Sequence, residues 1–280
     1  MSWQQDFRIA KAIYQGLVTS DVFSHDYKAV PAVADRWEIS RDLKTYTFHL
    51  RKTGWSDGSP VLAGDFAYAW MRALLPDFGA DYLGFVEHIR GGREFYQWRQ
   101  DRLAEFAAHT GAGNDKPDTA GAARLWALTR EKFRELVGVS TPDDRTIIVE
   151  LARPTPYFLD MVAFATFFPL CERGVHQYEV LDPLTGRVSW DQGWTKPPRL
   201  VCNGPFYVES WQFKRDVRLR RNPYYWDKDA LAIDTISIPT VEDPVSSVLA
   251  FRTGAVDWVT DVLAPFRAEM VAQKAAFYRE

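Results

Sequence analysis

Cysteine is nearly absent: the 280 residues hold two, Cys171 and Cys202, too few and too far apart for a zinc framework. A bridge between them would need Cα atoms within about 7 Å. Free cysteine is commonly buried as a small apolar residue, so buried free thiols are the preferred expectation over a disulfide. Histidine is sparse as well. His25, His49, His88, His109 and His176 never fall at ligand spacing from one another, so no metal and no cofactor is expected. There is no apolar run of about eighteen residues to span a bilayer as a helix. The opening, MSWQQDFRIAKA, sets charges where the apolar core of a secretory leader would stand, so either the protein stays in the cytoplasm or its leader has been removed. Positive charge is in no excess. The 34 basic residues face 37 acidic ones, for a net charge of −3 without a basic block, which argues against nucleic acid as a partner. Catalytic signatures are missing too: no G-x-S-x-G elbow, no H-E-x-x-H, no phosphate-cradling glycine loop. Neighbouring carboxylates such as Asp143 and Asp144 fall in a turn, where solvation rather than acid–base work is expected.

Aromatic residues, in contrast, are abundant. They make up 15% of the chain, with eleven tryptophans, an excess that suits a thick core or a cleft gripping its ligand by apolar contact. The stretch LVCNGPFYVESWQFKRDVRLRRNPYYWD, residues 200–227, organises much of what surrounds it. Phe206, Val208 and Trp211 alternate with polar neighbours, as do Val217 and Leu219 after a charged turn near Lys214, which predicts a hairpin. Asn203-Gly204-Pro205 signals a turn before it, and Asn222-Pro223 ends it because proline has no amide hydrogen for a ladder.

Along the chain, Phe7, Ile9, Ala10, Ile13, Tyr14 and Leu17 keep helical spacing, with Gly16 as the expected stop. Tyr46, Phe48 and Leu50 mark one face of a strand, and Trp37 is expected to pack near it. After the turn WSDGSP comes a helix with Phe66, Trp70 and Leu74 in register, Asp65 in its first turn and Pro76 beyond its end. Two helical pieces lie between Gly91 and Val137, split by GAGNDKPDTAG; the second carries Ala122, Leu125, Trp126, Thr129, Phe133 and Leu136 as a core stripe. A strand is predicted from Thr146 to Leu151. TPYFLDMVAFATFFPL predicts a buried helix and a short strand, and residues 172–196 a polar connection. AIDTISIPTV and AVDWV read as strands, DPVSSVLAFRTG as a helix closed by Gly254, and FRAEMVAQKAAFYRE as helical.

Taken in order, YQGLV, PAVADRWEISRDLKTYTFHLR, WSDGSPVLAGDFAYAWMRALLP, PTPYFLDMV, NGPFYVESW, LRRNPYYWD and LAFRTGAVDWV resemble the extracellular solute-binding proteins of the peptide, dipeptide and nickel transporter family. The resemblance covers nearly the whole chain. It implies a mixed α/β fold of the periplasmic binding protein type II class, with residues 1–36 and 165–262 in a first lobe, 37–164 in an inserted small domain and 263–280 starting the connection to a second lobe. It also implies a non-enzymatic binder outside the cytoplasm, with or without a lipid anchor, that passes a peptide to the membrane permease of an ABC transporter. Ligand-contacting positions of the family map onto Phe78, Tyr82, Phe164, Thr260 and Asp261. The R-N-P-Y-Y-W-D run and the W-S-D-G turn are assigned to structure.

In the family a ligand is enclosed between two lobes, and this chain ends near where the second should begin; it also lacks the strand that usually precedes the first helix. The expectation is therefore a piece of a longer protein, presenting half a cleft that could pair with a second copy. Three other readings compete. A metal-chelate or haem binder would call for clustered His, Met or Cys. A carbohydrate hydrolase would need two carboxylates facing one cleft. A sensor or chaperone-like module would present its ligand to a receptor instead of a permease.

Overall fold

Strand Thr45–Leu50 buries Tyr46, Phe48 and Leu50 and leaves the residues between them partly exposed, the period-two pattern of a sheet with one face on a core. The computed structural model describes residues 4–80, 83–111, 116–260 and 262–272. Its elements in chain order are α1 (Gln4–Ile13), β1 (Val18–Ser20), β2 (Ala29–Pro31), β3 (Ala34–Ile39), β4 (Thr45–Leu50), α2 (Ala63–Leu74), α3 (Leu83–Val86), α4 (Gly92–Gly111), α5 (Thr119–Leu136), β5 (Val139–Asp143), β6 (Thr146–Glu150), α6 (Phe158–Val162), α7 (Glu172–Val175), β7 (Glu179–Leu181), β8 (Val188–Trp190), β9 (Phe206–Gln212), β10 (Asp216–Arg221), β11 (Thr235–Pro239), α8 (Pro244–Arg252) and α9 (Ala264–Ala272). Residues 1–211 with 218–236 form one compact unit, and residues 212–217 with 237–280 form another.

In the larger unit an antiparallel sheet runs β3-β4-β6-β5, with Trp37 opposite Phe48 and Phe48 opposite Ile147. Its buried face meets a chain of aromatic rings. Tyr46 lies 4.9 Å from Phe158, Phe158 6.0 Å from Phe167, and Phe167 5.4 Å from Trp70 of α2. The polar tips are satisfied: the Tyr46 hydroxyl donates to the Thr155 carbonyl at 2.8 Å and the Trp70 indole to the Phe167 carbonyl at 2.9 Å. Each such side chain contributes roughly 1.5–3 kcal/mol on burial, so this segment anchors sheet and helix together.

The start of α2 is held by Asp65. Leu62, at the cap, has no side-chain acceptor. The Asp65 carboxylate instead accepts from the Leu62 N–H (2.9 Å), the Trp55 indole (3.0 Å) and the Glu172 N–H (3.1 Å). Burial raises its pKa despite these bonds.

The turn motifs interlock, as their structural assignment requires. Ser56 N–H donates to the Cys202 carbonyl, and the Cys202 N–H donates to Ser56 Oγ, at 2.8 and 3.0 Å. Gly54 N–H donates to the Tyr224 carbonyl at 3.0 Å. Asn203 pairs with the backbone of Gln15, Asn222 donates to the Cys202 and Gly204 carbonyls, and the Trp226 indole donates to Gln15 Oε1. Gly204 is needed for this contact: a Cβ there would lie 2.6 Å from the Ile13 carbonyl carbon. Both cysteines are buried and free.

Four sequence expectations are corrected. The helix α1 ends at Ile13, before Gly16; a Cβ on Gly16 would meet the Phe168 ring at 3.0 Å, so this glycine serves a close approach. TPYFLDMVAFATFFPL forms α6 and a 3₁₀ turn at Ala165–Phe167 without a strand, since its apolar residues satisfy ring contacts on several sides instead of a ladder. Residues 172–196 contain α7 and the antiparallel pair β7–β8. AVDWV is not a strand, because among the described residues no strand pairs with it. In the smaller unit α8 forms as expected: Asp243 caps it through the Val245 and Ser246 N–H groups, and Gly254, at φ 73°, lets the Ala255 N–H reach the Ala250 carbonyl at 2.9 Å.

Candidate functional site

Just beyond α2, Asp77 is bound bidentately by Arg99 of α4, at 2.7 and 3.0 Å, with both side chains fully buried. Arg99 also donates to Thr129 Oγ1 and the Gly186 carbonyl, and Asp77 accepts from the Val188 N–H. One pair therefore ties α4, α5 and the β7–β8 hairpin to the segment carrying Phe78. Phe78 projects from it half exposed, edge-on to buried Trp190 at 6.3 Å.

Beneath Phe78 lies Arg72, 4% exposed. Its guanidinium carbon stands 4.2 Å from the Trp190 ring, 5.0 Å from Phe78 and 5.6 Å from Trp194. Burial lowers its pKa, and nearby Tyr68 and Glu179 work against that shift. Glu179 is held by the Tyr68 hydroxyl (3.1 Å), the Trp126 indole (2.9 Å) and His176 Nδ1 (2.9 Å), and the Trp190 indole donates to Tyr68 at 3.1 Å. Burial first, then the charge of Glu179, pushes the Tyr68 pKa up. The Tyr68, Trp126 and Trp190 donors are thus directed inward, onto Glu179 and Tyr68. Among the described residues no three His, Cys, Asp or Glu side chains converge as a metal site.

Of the other sequence-predicted residues, Phe164 is half-buried and packs its ring 5.1 Å from Phe7 of α1. Thr260 is exposed in the smaller unit. Tyr82 and Asp261 lie outside the described residues.

A family model described as bacterial extracellular solute-binding proteins, family 5, matches residues 28–276. The chain belongs to this family. Among curated proteins it is similar to the periplasmic oligopeptide-binding protein OppA of Salmonella typhimurium, 27% identical over 89% of this chain and 38% of that one. It is also similar to the dipeptide-binding protein DppE of Bacillus subtilis, 30% identical over 92% of this chain and 38% of that one. Among solved structures, Haemophilus influenzae OppA in complex with RPPGFSPFR superposes at a TM-score of 0.69 with 26% identity, over 90% of this chain and 40% of that one. The substrate-binding domain of an oligopeptide ABC transporter of Bacillus anthracis matches at a TM-score of 0.70 and 28% identity, over 91% of this chain and 40% of that one. The chain thus spans about two fifths of the length of these relatives. The mixed α/β fold is that of the solute-binding proteins.

The gathering of Arg72, Glu179, Trp190 and Trp194 near Phe78 was not anticipated from the sequence. The available signal was Arg72 itself, a cation inside the otherwise apolar run FAYAWMRALL, one helical turn after Tyr68.

Proposed function

We propose that this chain is part of the solute-capturing component of a bacterial ABC importer, and that the solute is a peptide. The observation that carries the reading is the family 5 match over residues 28–276, together with a structural neighbour that holds the peptide RPPGFSPFR. On this reading residues 1–36 and 165–262 belong to one lobe, 37–164 to the inserted domain and 263–280 to the connection onward. Phe78, Tyr82, Phe164, Thr260 and Asp261 face the ligand. Main-chain hydrogen bonds would set peptide affinity, and aromatic walls such as Phe78 and Trp190 would exclude water from them. Delivery is to a membrane permease outside the cytoplasm, with a lipid anchor as one mode of retention. Self-association through the exposed half-cleft belongs to the same reading, and light scattering checks it by a mass that rises with concentration.

A second reading rests on one relative, the probable deoxycholate-binding periplasmic protein YgiS of Escherichia coli, 29% identical over 90% of this chain. An amphipathic apolar solute also suits an aromatic-walled site. Tryptophan fluorescence of the gene product containing this chain, titrated with short peptides and with deoxycholate, separates the two. Saturable quenching by peptides supports the proposal; saturation by deoxycholate alone overturns it in favour of the second reading.

A further inference from the structure

Among the described residues, two buried donors in the Phe78 cluster have no acceptor: Arg72 Nε and Trp194 Nε1 are both sealed from solvent without a hydrogen-bond partner. Among the described residues the Arg72 guanidinium makes no ion pair and no side-chain hydrogen bond, although the residue is 4% exposed. A buried cation left this way is costly: orphaned polar groups cost about 1–3 kcal/mol each, and charged ones more. The Trp190, Phe78 and Trp194 rings stand 4.2, 5.0 and 5.6 Å from its central carbon, and aromatic faces offer its N–H groups no conventional acceptor. Glu179 lies near enough to favour the charged form of Arg72 but is engaged by Tyr68, Trp126 and His176 instead.

From this geometry we infer that Arg72 and Trp194 form a binding site for a carboxylate group. The guanidinium edge offers two parallel N–H donors that match the two oxygens of a carboxylate, and the Trp194 indole adds a third donor. Charge selects the same class. With Glu179 close by, a monoanion neutralises Arg72, whereas a dianionic phosphate meets repulsion. The aromatic walls displace water and strengthen the contact. The site stands independently of the peptide reading, since a free carboxylate suffices to fill it.

Heteronuclear NMR of the 280-residue chain, following the side-chain N–H resonances of Arg72 and Trp194 during titration with sodium acetate, tests the site. Sodium chloride at equal ionic strength is the control. Acetate is expected to shift both resonances saturably in the millimolar range, and chloride to leave them in place. Trp194→Phe keeps the ring and removes one donor, and should weaken acetate roughly tenfold. Arg72→Lys keeps the charge and removes the fork, with at least the same loss. If Arg72→Lys does not fold, the Trp194→Phe comparison decides alone. Equal shifts with chloride, no saturation, or unchanged acetate affinity in Trp194→Phe would overturn the inference. Loss of acetate binding would leave peptide quenching untouched as a separate result.

Discussion

Asp77 and Arg99 show how one residue pair fixes a surface. Their bidentate contact is wholly buried, so removing either partner strands the other charge away from water. Arg99→Met is expected to destabilise the fold by about 3–5 kcal/mol, read from the midpoint and slope of urea unfolding. A loss below about 1 kcal/mol would place the pair in the range of exposed ion pairs. Cys202 supplies the pH-dependent case. Burial pushes its thiol from 9.0 up to about 12. The unfolded thiol ionises first, so the unfolded state binds fewer protons across this window and stability falls as pH rises from 9.0 toward 12. Cys202→Ala should flatten that slope in unfolding curves collected at increasing pH; an unchanged slope would assign it to other groups. At this scale the sequence was partly readable. The burial of both thiols could be anticipated from residue type, whereas the Asp77–Arg99 pairing joins residues on separate elements and has no local pattern.

Elements with a strong period were legible. Strand β4, helices α2 and α5 and the β9–β10 hairpin follow from alternation or helical spacing, and the α5 residues Ala122, Trp126, Thr129 and Phe133 are buried. The β7–β8 pair was not legible, because three-residue strands are too short to show a period and their turn is set by the Asp182 carboxylate bonding Leu184 and Thr185. Two changes probe elements as units. Asp65→Ala leaves the Trp55 indole and the Leu62 and Glu172 N–H groups without their acceptor, and about 3 kcal/mol or more should be lost in thermal or urea unfolding. Gly204→Ala sets a Cβ against the Ile13 and Tyr14 backbone at 2.6 and 2.7 Å. Since backbone cannot step aside as a flexible side chain can, α1 should lose hydrogen-exchange protection before the four-stranded sheet does. Uniform loss in both would contradict a local role for this contact.

For the whole molecule, the motif order alone carried the family, and with it the fold class. The candidate site was less accessible. The family pattern offers Phe78 as a candidate, but its surroundings depend on Arg72, Trp190 and Trp194, which converge from α2, β8 and the turn after β8. Separation of more than a hundred positions hides that convergence from any sequence window. The central claim is peptide capture, and native mass spectrometry of the gene product containing this chain, purified without refolding, tests it most directly. The account predicts a ladder of peptide masses released on gentle activation, or saturable uptake of added peptide. A protein that carries no peptide and takes up none, while adding a steroid acid or another non-peptide solute, would contradict it.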